Sequence, residues 1–210
     1  MRFWRPRPVV GEPLVGVAVA AHLADDRQAA ALACLWSSFR AQTYPRWLMR
    51  VTHDGPAAEG LRGVLGRLAA EDGRCRVVET PERLGRFGHP HRQAAAGWLL
   101  DAGCDWVLHT NQDNYYVPVF LEWLLSAAQA QGAWFVYCDF VRSHRLWACQ
   151  ATRPRRGEID LGAFLAHRRL AEAVAFDSDG FAADGDYAER LVAAAGGRVA
   201  RVAATLFVHN

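Results

Sequence analysis

The sequence predicts an α/β fold: a mostly parallel central sheet covered by helices on both faces. Three observations carry this. Short apolar runs without polar alternation recur along the chain, as in strands buried on both sides. Segments of helical spacing separate them. The turn residues between are Asp-Gly, Gly and Pro. Repeated β-α-β of this kind gives right-handed crossovers and a doubly covered sheet.

The first run, residues 14–20, reads Leu-Val-Gly-Val-Ala-Val-Ala. Asp25 and Asp26 then offer a helix N-cap, and Ala30, Cys34, Leu35, Ser38 and Phe39 follow at helical spacing. Tyr44-Pro45 lies beyond that helix. A second strand over 48–52 closes in His53-Asp54-Gly55-Pro56, and a helix over 61–70 precedes a third strand over 76–79. Residues 80–90 are rich in Gly, Pro and Arg and read as a loop, before a helix over 94–102. A strand over 106–109, an amphipathic helix over 118–131 and a strand over 134–137 complete the regular part.

After Asp139 the regularity falls. Residues 142–159 are basic and broken by Pro154 and Gly157, which predicts loops and short strands. Residues 162–174 read as helix, 176–185 as an acidic loop, and 187–195 as a helix stopped by Gly196-Gly197. Residues 199–202 and 206–208 read as closing strands.

The 210 residues suit one domain, with a short extension over 1–13, a half over 14–139 and a second half over 140–210. Hydrophobic residues make up 51% and charged residues 22%, which excludes disorder. A net charge of +2 is no nucleic-acid footprint. The basic cluster Arg2, Arg5 and Arg7, with Phe3 and Trp4, offers at most weak contact with a membrane surface. No apolar run reaches the ~20 residues of a membrane helix, and no cleavage site marks a signal peptide. Five cysteines, with no Cys-x-x-Cys, indicate neither a disulfide framework nor a zinc knuckle. A cytoplasmic setting follows as the expectation.

The most informative stretch runs from Trp106 to Tyr116. An apolar strand ends there in Asn111-Gln112-Asp113-Asn114. In α/β sheets ligands bind at the carboxyl ends of strands. A carboxylate flanked by amides offers hard oxygen ligands suited to Mn2+ or Mg2+, and such a metal holds a diphosphate. The bland alternative is a turn that caps the helix opened by Pro118.

Four blocks in this order resemble the family 2 glycosyltransferases of GT-A fold. They are residues 34–45, ending in Gln42-Thr43-Tyr44-Pro45; Asp54-Gly55; Leu84-Gly85 with Arg92-Gln93; and residues 111–114. The likeness covers residues 15–209. The sequence departs from the family where Asn111 and Asn114 replace aspartates and His53 replaces the first aspartate of the turn.

The resemblance implies a single GT-A-type domain in which residues 14–139 bind nucleotide and 140–210 bind acceptor. It implies a hexosyltransferase-like enzyme that moves a sugar, with inversion, from a nucleoside-diphosphate sugar, most simply a UDP-sugar, to an acceptor hydroxyl. The acceptor is a saccharide, lipid-linked or small molecule. A catalytically impaired nucleotide-sugar-binding or scaffold protein of the same fold is the alternative.

Charge building on the leaving diphosphate needs a cation, and the hydroxyl needs a base. Asp113, assisted by Asn111, is the candidate metal site. His209, after the apolar run 206–208, is a third ligand or else a solvated terminal residue. Asp184 stands where the family has its base, with Asp186 as the fallback; the alternative is helix N-capping. Ala20, Ala21, His22, Asp54, Arg92 and Gln112 are the nucleotide-binding candidates. For Asp54 the alternative is a simple turn, and for Arg92 a surface position. Asp139 faces the acceptor or turns the chain. His89-Pro90-His91 reads as loop histidines, and Trp147 as a core residue or a platform for a sugar.

Overall fold

A computed structural model describes residues 11–177, 180 and 182–210. The basic cluster of Arg2, Arg5 and Arg7 lies outside the described residues, as do three positions of the 176–185 segment.

The strands are β1 (Val15–Ala21), β2 (Trp47–His53), β3 (Cys75–Glu79), β4 (Trp106–Asn111), β5 (Tyr115–Tyr116), β6 (Phe135–Arg142), β7 (Ala148–Gln150), β8 (Phe164–His167) and β9 (Val199–His209). The helices are α1 (Asp26–Arg40), α2 (Glu59–Glu71), α3 (His89–Asp101), α4 (Phe120–Gln131), α5 (Arg168–Ala173) and α6 (Ala183–Ala195). The strands form one sheet in the order β3-β2-β1-β4-β8-β6-β9-β5, with β7 paired to β6.

The half that holds β1, β2, β3 and β4 follows the expected rules. β1 pairs in parallel with β2 and β4, and β2 with β3. Val15, Val17 and Val19 of β1 are essentially inaccessible, as an all-apolar central strand requires. Asp25 caps α1 by accepting from the Gln28 N–H at 2.8 Å.

The other half corrects the expectation of a mostly parallel sheet: the sheet is mixed. β8 lies antiparallel between β4 and β6, where the sequence predicts helix over 162–174. Only Arg168–Ala173 of that stretch is α-helical. Phe164, Leu165 and Ala166 are buried on both faces, so no period-2 pattern marks the strand. α3 starts at His89, earlier than 94, and Pro90 sits in its first turn, where a missing N–H costs nothing. α6 likewise starts at Ala183 instead of 187. The two closing strands are one, β9, which runs parallel to β6 with register shifts around Asp139. This irregularity re-aims the end of β9 and carries His209 opposite Arg142. One apolar core runs through both halves, from Val15 to Phe207.

Candidate active site

Two adjoining clefts open at the carboxyl ends of the parallel strands, and both are bordered by Phe87 and Asn111. The first, of about 370 Å³, is lined by Ala20, Ala21, His22, Asp54, Gln112 and Asp113. The second, of about 520 Å³, is lined by Arg92, Asp160, Asp184, His209 and a set of arginines from the 142–157 segment.

The first cleft is held by hydrogen bonds among its own walls. Gln112 Oε1 accepts from the His22 N–H at 2.6 Å, and its Nε2 donates to the His22 carbonyl at 2.9 Å. This clamp ties the end of β4 to the end of β1, so the Gln112 amide positions the rim. His53 does the same one strand over. Its Nε2 accepts from the Leu23 N–H at 2.9 Å, and its Nδ1 donates to the Gly55 carbonyl at 2.7 Å. An aspartate there would lack the donor.

Asp54 is 5% exposed. Its carboxylate accepts from the N–H groups of Leu84 and Gly85 at 2.7 and 2.8 Å and from His91 Nε2 at 2.7 Å. Burial alone would raise this carboxyl; His91, Leu84 and Gly85 outweigh it and hold it below the usual carboxylate range. Asp54 is thus more than a turn residue: it pins the 84–88 loop against the cleft. Gly88, at φ +74°, lets that loop pass against β1, since a Cβ there would lie 2.5 Å from Ala20 Cβ.

Arg92 is not a surface residue. It is 2% exposed and lines the second cleft. Its Nη2 donates to Asn111 Oδ1 at 2.5 Å, its Nη1 to the Thr110 carbonyl at 3.2 Å, and its Nε to His89 Nδ1 at 3.2 Å. The Asn111 oxygen is therefore engaged by a guanidinium, as part of the Arg92 network. His89 and His91 also separate: one serves Arg92, the other Asp54.

Neither Asp113 nor Asn114 caps α4, whose N-cap is Val119 with no side-chain bond. Asn114 is buried and donates to Thr110 Oγ1 at 3.0 Å. Asp113 lines the first cleft, and burial raises its carboxyl, with partial relief from its own backbone N–H and from His209. A half-buried carboxylate near an imidazole has the donor chemistry for Mn2+ or Mg2+. Among the described residues, no three His, Cys, Asp or Glu side chains are grouped to hold a metal ion. Asp113 and His209 have the donor chemistry for such an ion, and each acts on the charge of the other.

The residue sequence reasoning missed is Asp160. It caps the turn Leu161–Ala163, accepting from the Gly162 N–H at 2.7 Å, and lies 3.1 Å from His209 Nδ1. His209 is therefore packed and paired rather than a solvated terminal residue. Burial would raise the Asp160 carboxyl, but His209, the Gly162 N–H and Arg92 hold it below its ordinary value. Burial works against a charged His209, and Asp160 followed by Asp113 overcomes this and lifts its pKa. The signal in the sequence was Asp-x-Gly ahead of a buried run, the pattern of a capped turn. Gly162 suits the turn, because a Cβ would lie 2.6 Å from Tyr116 Oη and the tyrosine would have to shift.

Asp184 lies in the first turn of α6 and lines the second cleft. It does not cap the helix, whose N-cap is Ala182 with no side-chain bond. Burial, then the nearby Asp160 charge, pushes its carboxyl up to about 7; Arg92 and a hydrogen bond to the Leu161 backbone restrain the rise. Asp186 points elsewhere: it is 39% exposed, 3.8 Å from Arg156 Nε, and outside the cleft lining. The α6 start is fixed by Gly185, where a Cβ would lie 2.3 Å from Arg156 Cα.

Asp139 turns out to be structural. It accepts from the Thr152 N–H at 2.9 Å and from Arg201 Nη2 at 2.9 and 3.0 Å, anchoring the irregular pairing of β6 and β9. Trp147 is neither core nor cleft lining. It is 66% exposed, next to the fully exposed Leu146, and both adopt positive φ on the β6–β7 turn. No helix among the described residues is long and apolar enough to cross a membrane.

No family model and no curated protein matches the sequence. Solved structures match the fold. S. aureus TarS 1-349 in complex with UDP superposes with a TM-score of 0.73 at 12% identity, over 93% of this chain and 60% of that one. A Pyrobaculum calidifontis mannosyltransferase, PcManGT, in complex with GDP-Man and Mn2+, gives 0.70 at 18% identity over 99% of this chain and 60% of that one. S. aureus TarS gives 0.72 at 10% identity, over 94% of this chain but 36% of its own length. The chain thus shares their fold and spans between about a third and three-fifths of their length.

Proposed function

We propose that this protein is an inverting, nucleotide-sugar-dependent glycosyltransferase. The observation that carries the reading is Asp184, a carboxyl held at about 7 in a cleft that adjoins a second cleft at the strand ends. A base is most effective when its pKa lies near the working pH. The shared fold supports the reading, since structures of that fold hold UDP or GDP-Man.

In this reading residues 14–139 bind the donor nucleotide. Ala20, Ala21 and His22 form the floor of the first cleft, and Asp54 and Gln112 hold its walls. Residues 140–210 bind the acceptor. Asp184 takes the proton from the acceptor hydroxyl as that oxygen forms its bond to the anomeric carbon. The bond to the diphosphate oxygen breaks, and its electron pair leaves with the nucleoside diphosphate. Arg92, immobilised by four hydrogen bonds, faces the cleft where the sugar lies. A divalent metal, Mn2+ or Mg2+, on Asp113 and His209 would supply positive charge to the leaving group.

The test joins binding to turnover. UDP, GDP and their sugar conjugates are titrated with Mn2+, Mg2+ or EDTA, and nucleotide release is followed. Asp184→Asn is expected to bind nucleotide as the wild type does and to lose roughly 10²–10⁴ in kcat. Unchanged turnover removes Asp184 from the chemistry. Nucleotide binding with no transfer or hydrolysis by the wild type would favour a binding protein instead, a reading supported by the engagement of Asn111 with Arg92.

A further inference from the structure

We propose that the second cleft carries an oxyanion subsite, formed by Arg142, Arg145 and Arg156, and that the acceptor bears a phosphate group. The word acceptor rests on the transferase reading; the subsite does not.

The argument is one of charge and pairing. Four arginines, Arg92, Arg142, Arg145 and Arg156, line the second cleft, against Asp160 and Asp184. Asp160 is taken by His209. The glutamate of the basic segment, Glu158, is taken by Arg153 and Arg155, which lie outside the cleft. Arg142 leans on the Phe140 ring, its Cζ 5.5 Å from the centroid. Arg145 has no carboxylate partner among the described residues, and Arg156 has only the loose contact with Asp186. Positive charge is therefore left over on one wall.

The first cleft has the opposite balance. Arg83 is its arginine, against Asp54 and Asp113. The surplus thus sits away from the candidate nucleotide floor, on the side where the acceptor enters.

The backbone of the wall is held at two of the three arginines. Arg142 pairs with Ala148 and with His209 in the sheet. The Arg156 N–H donates to Glu189 Oε1 of α6 at 2.8 Å, and its Cα packs on Gly185, next to Asp184. A bound oxyanion would be tied to the helix that carries the base. Guanidinium forks match phosphate oxygens in geometry, whereas a neutral polyol gains little from three of them.

The test uses glycerol 1-phosphate, with glycerol as the neutral control, titrated into the full chain in the presence of UDP and Mn2+. Binding of the phosphate but not of glycerol is expected, weakening with salt. Arg142→Ala/Arg145→Ala should weaken it about tenfold or more, and Arg145→Lys should retain part of it. UDP binding by each variant reports its folding, and Arg145→Gln alone serves if the double variant does not fold.

Sedimentation with phosphatidylglycerol against phosphatidylcholine vesicles separates a lipid-borne phosphate from a soluble ester. Binding in either arm that depends on these arginines supports the subsite. Equal binding of glycerol and glycerol 1-phosphate, or undiminished binding by the variants, overturns it. A protein that binds the phosphate but no nucleotide would keep the subsite and sink the transferase reading.

Discussion

The two clefts differ in how their polar groups are spent. In the first, Asp54, Gln112, His53 and His91 are consumed by hydrogen bonds to backbone and to one another. In the second, the Asp184 carboxyl is held near neutrality, and the arginines at its mouth are largely unpaired. One cleft is built to keep its shape and the other to meet charge. The strand ends supply rigidity, and the less regular half supplies chemistry.

Three substitutions sharpen this contrast. The largest effect is expected at Asp54. Asp54→Ala strands the N–H groups of Leu84 and Gly85 and the His91 ring, at a cost of about 3–5 kcal/mol. Denaturant unfolding should show the loss, together with weaker nucleotide binding. A change at exposed Arg145 should leave stability within about 0.5 kcal/mol.

The second substitution acts on the other side. Gly185→Ala would ordinarily strengthen a helix. Here its Cβ meets the Arg156 backbone, so a loss of about 1–3 kcal/mol is expected, with Asp184 displaced and transfer reduced. A stabilised, fully active variant would show that α6 is not docked as described.

The smallest effect lies in the interior, against Phe176 and Tyr187. His109, in β4, is buried with neither ring nitrogen hydrogen-bonded, and burial, then Arg92, pushes its pKa down to about 3. His109→Phe should stabilise the protein by about 1 kcal/mol. The unfolded chain takes up a proton at this histidine near its ordinary pKa, and the folded chain only near 3. The wild type should therefore lose stability at His109 as pH falls below about 6.5, and the variant should be spared that loss.

The same contrast governs what the sequence makes legible. β1, β2, β3 and β4 are apolar runs with turn residues at their ends, and the residues of the first cleft follow those ends by position alone. Even there, what each side chain does was hidden: Gln112 clamps His22, and Asp54 pins the 84–88 loop. The second cleft is assembled from remote pieces, Arg92 of α3, Asp160 of a capped turn, Asp184 of α6 and His209 of β9. Nothing in local periodicity brings these together. β8 was unreadable as a strand because Phe164, Leu165 and Ala166 are buried on both faces. The early start of α3 was signalled by Pro90, a favoured residue in a first turn. Asp160 stood in an Asp-x-Gly turn pattern that marks a cap and not a site, and its pairing with His209 depends on the irregular β6–β9 register.

The most direct test of the account is the pH dependence of kcat/KM for sugar transfer, in the wild type and in Asp160→Asn. The wild-type rate should rise through a limb near 7 as Asp184 loses its proton. Removing the Asp160 charge should move that limb to lower pH. A limb near 4 in both proteins, or one that Asp160→Asn leaves in place, would contradict the claim that a buried, charge-coupled Asp184 accepts the proton.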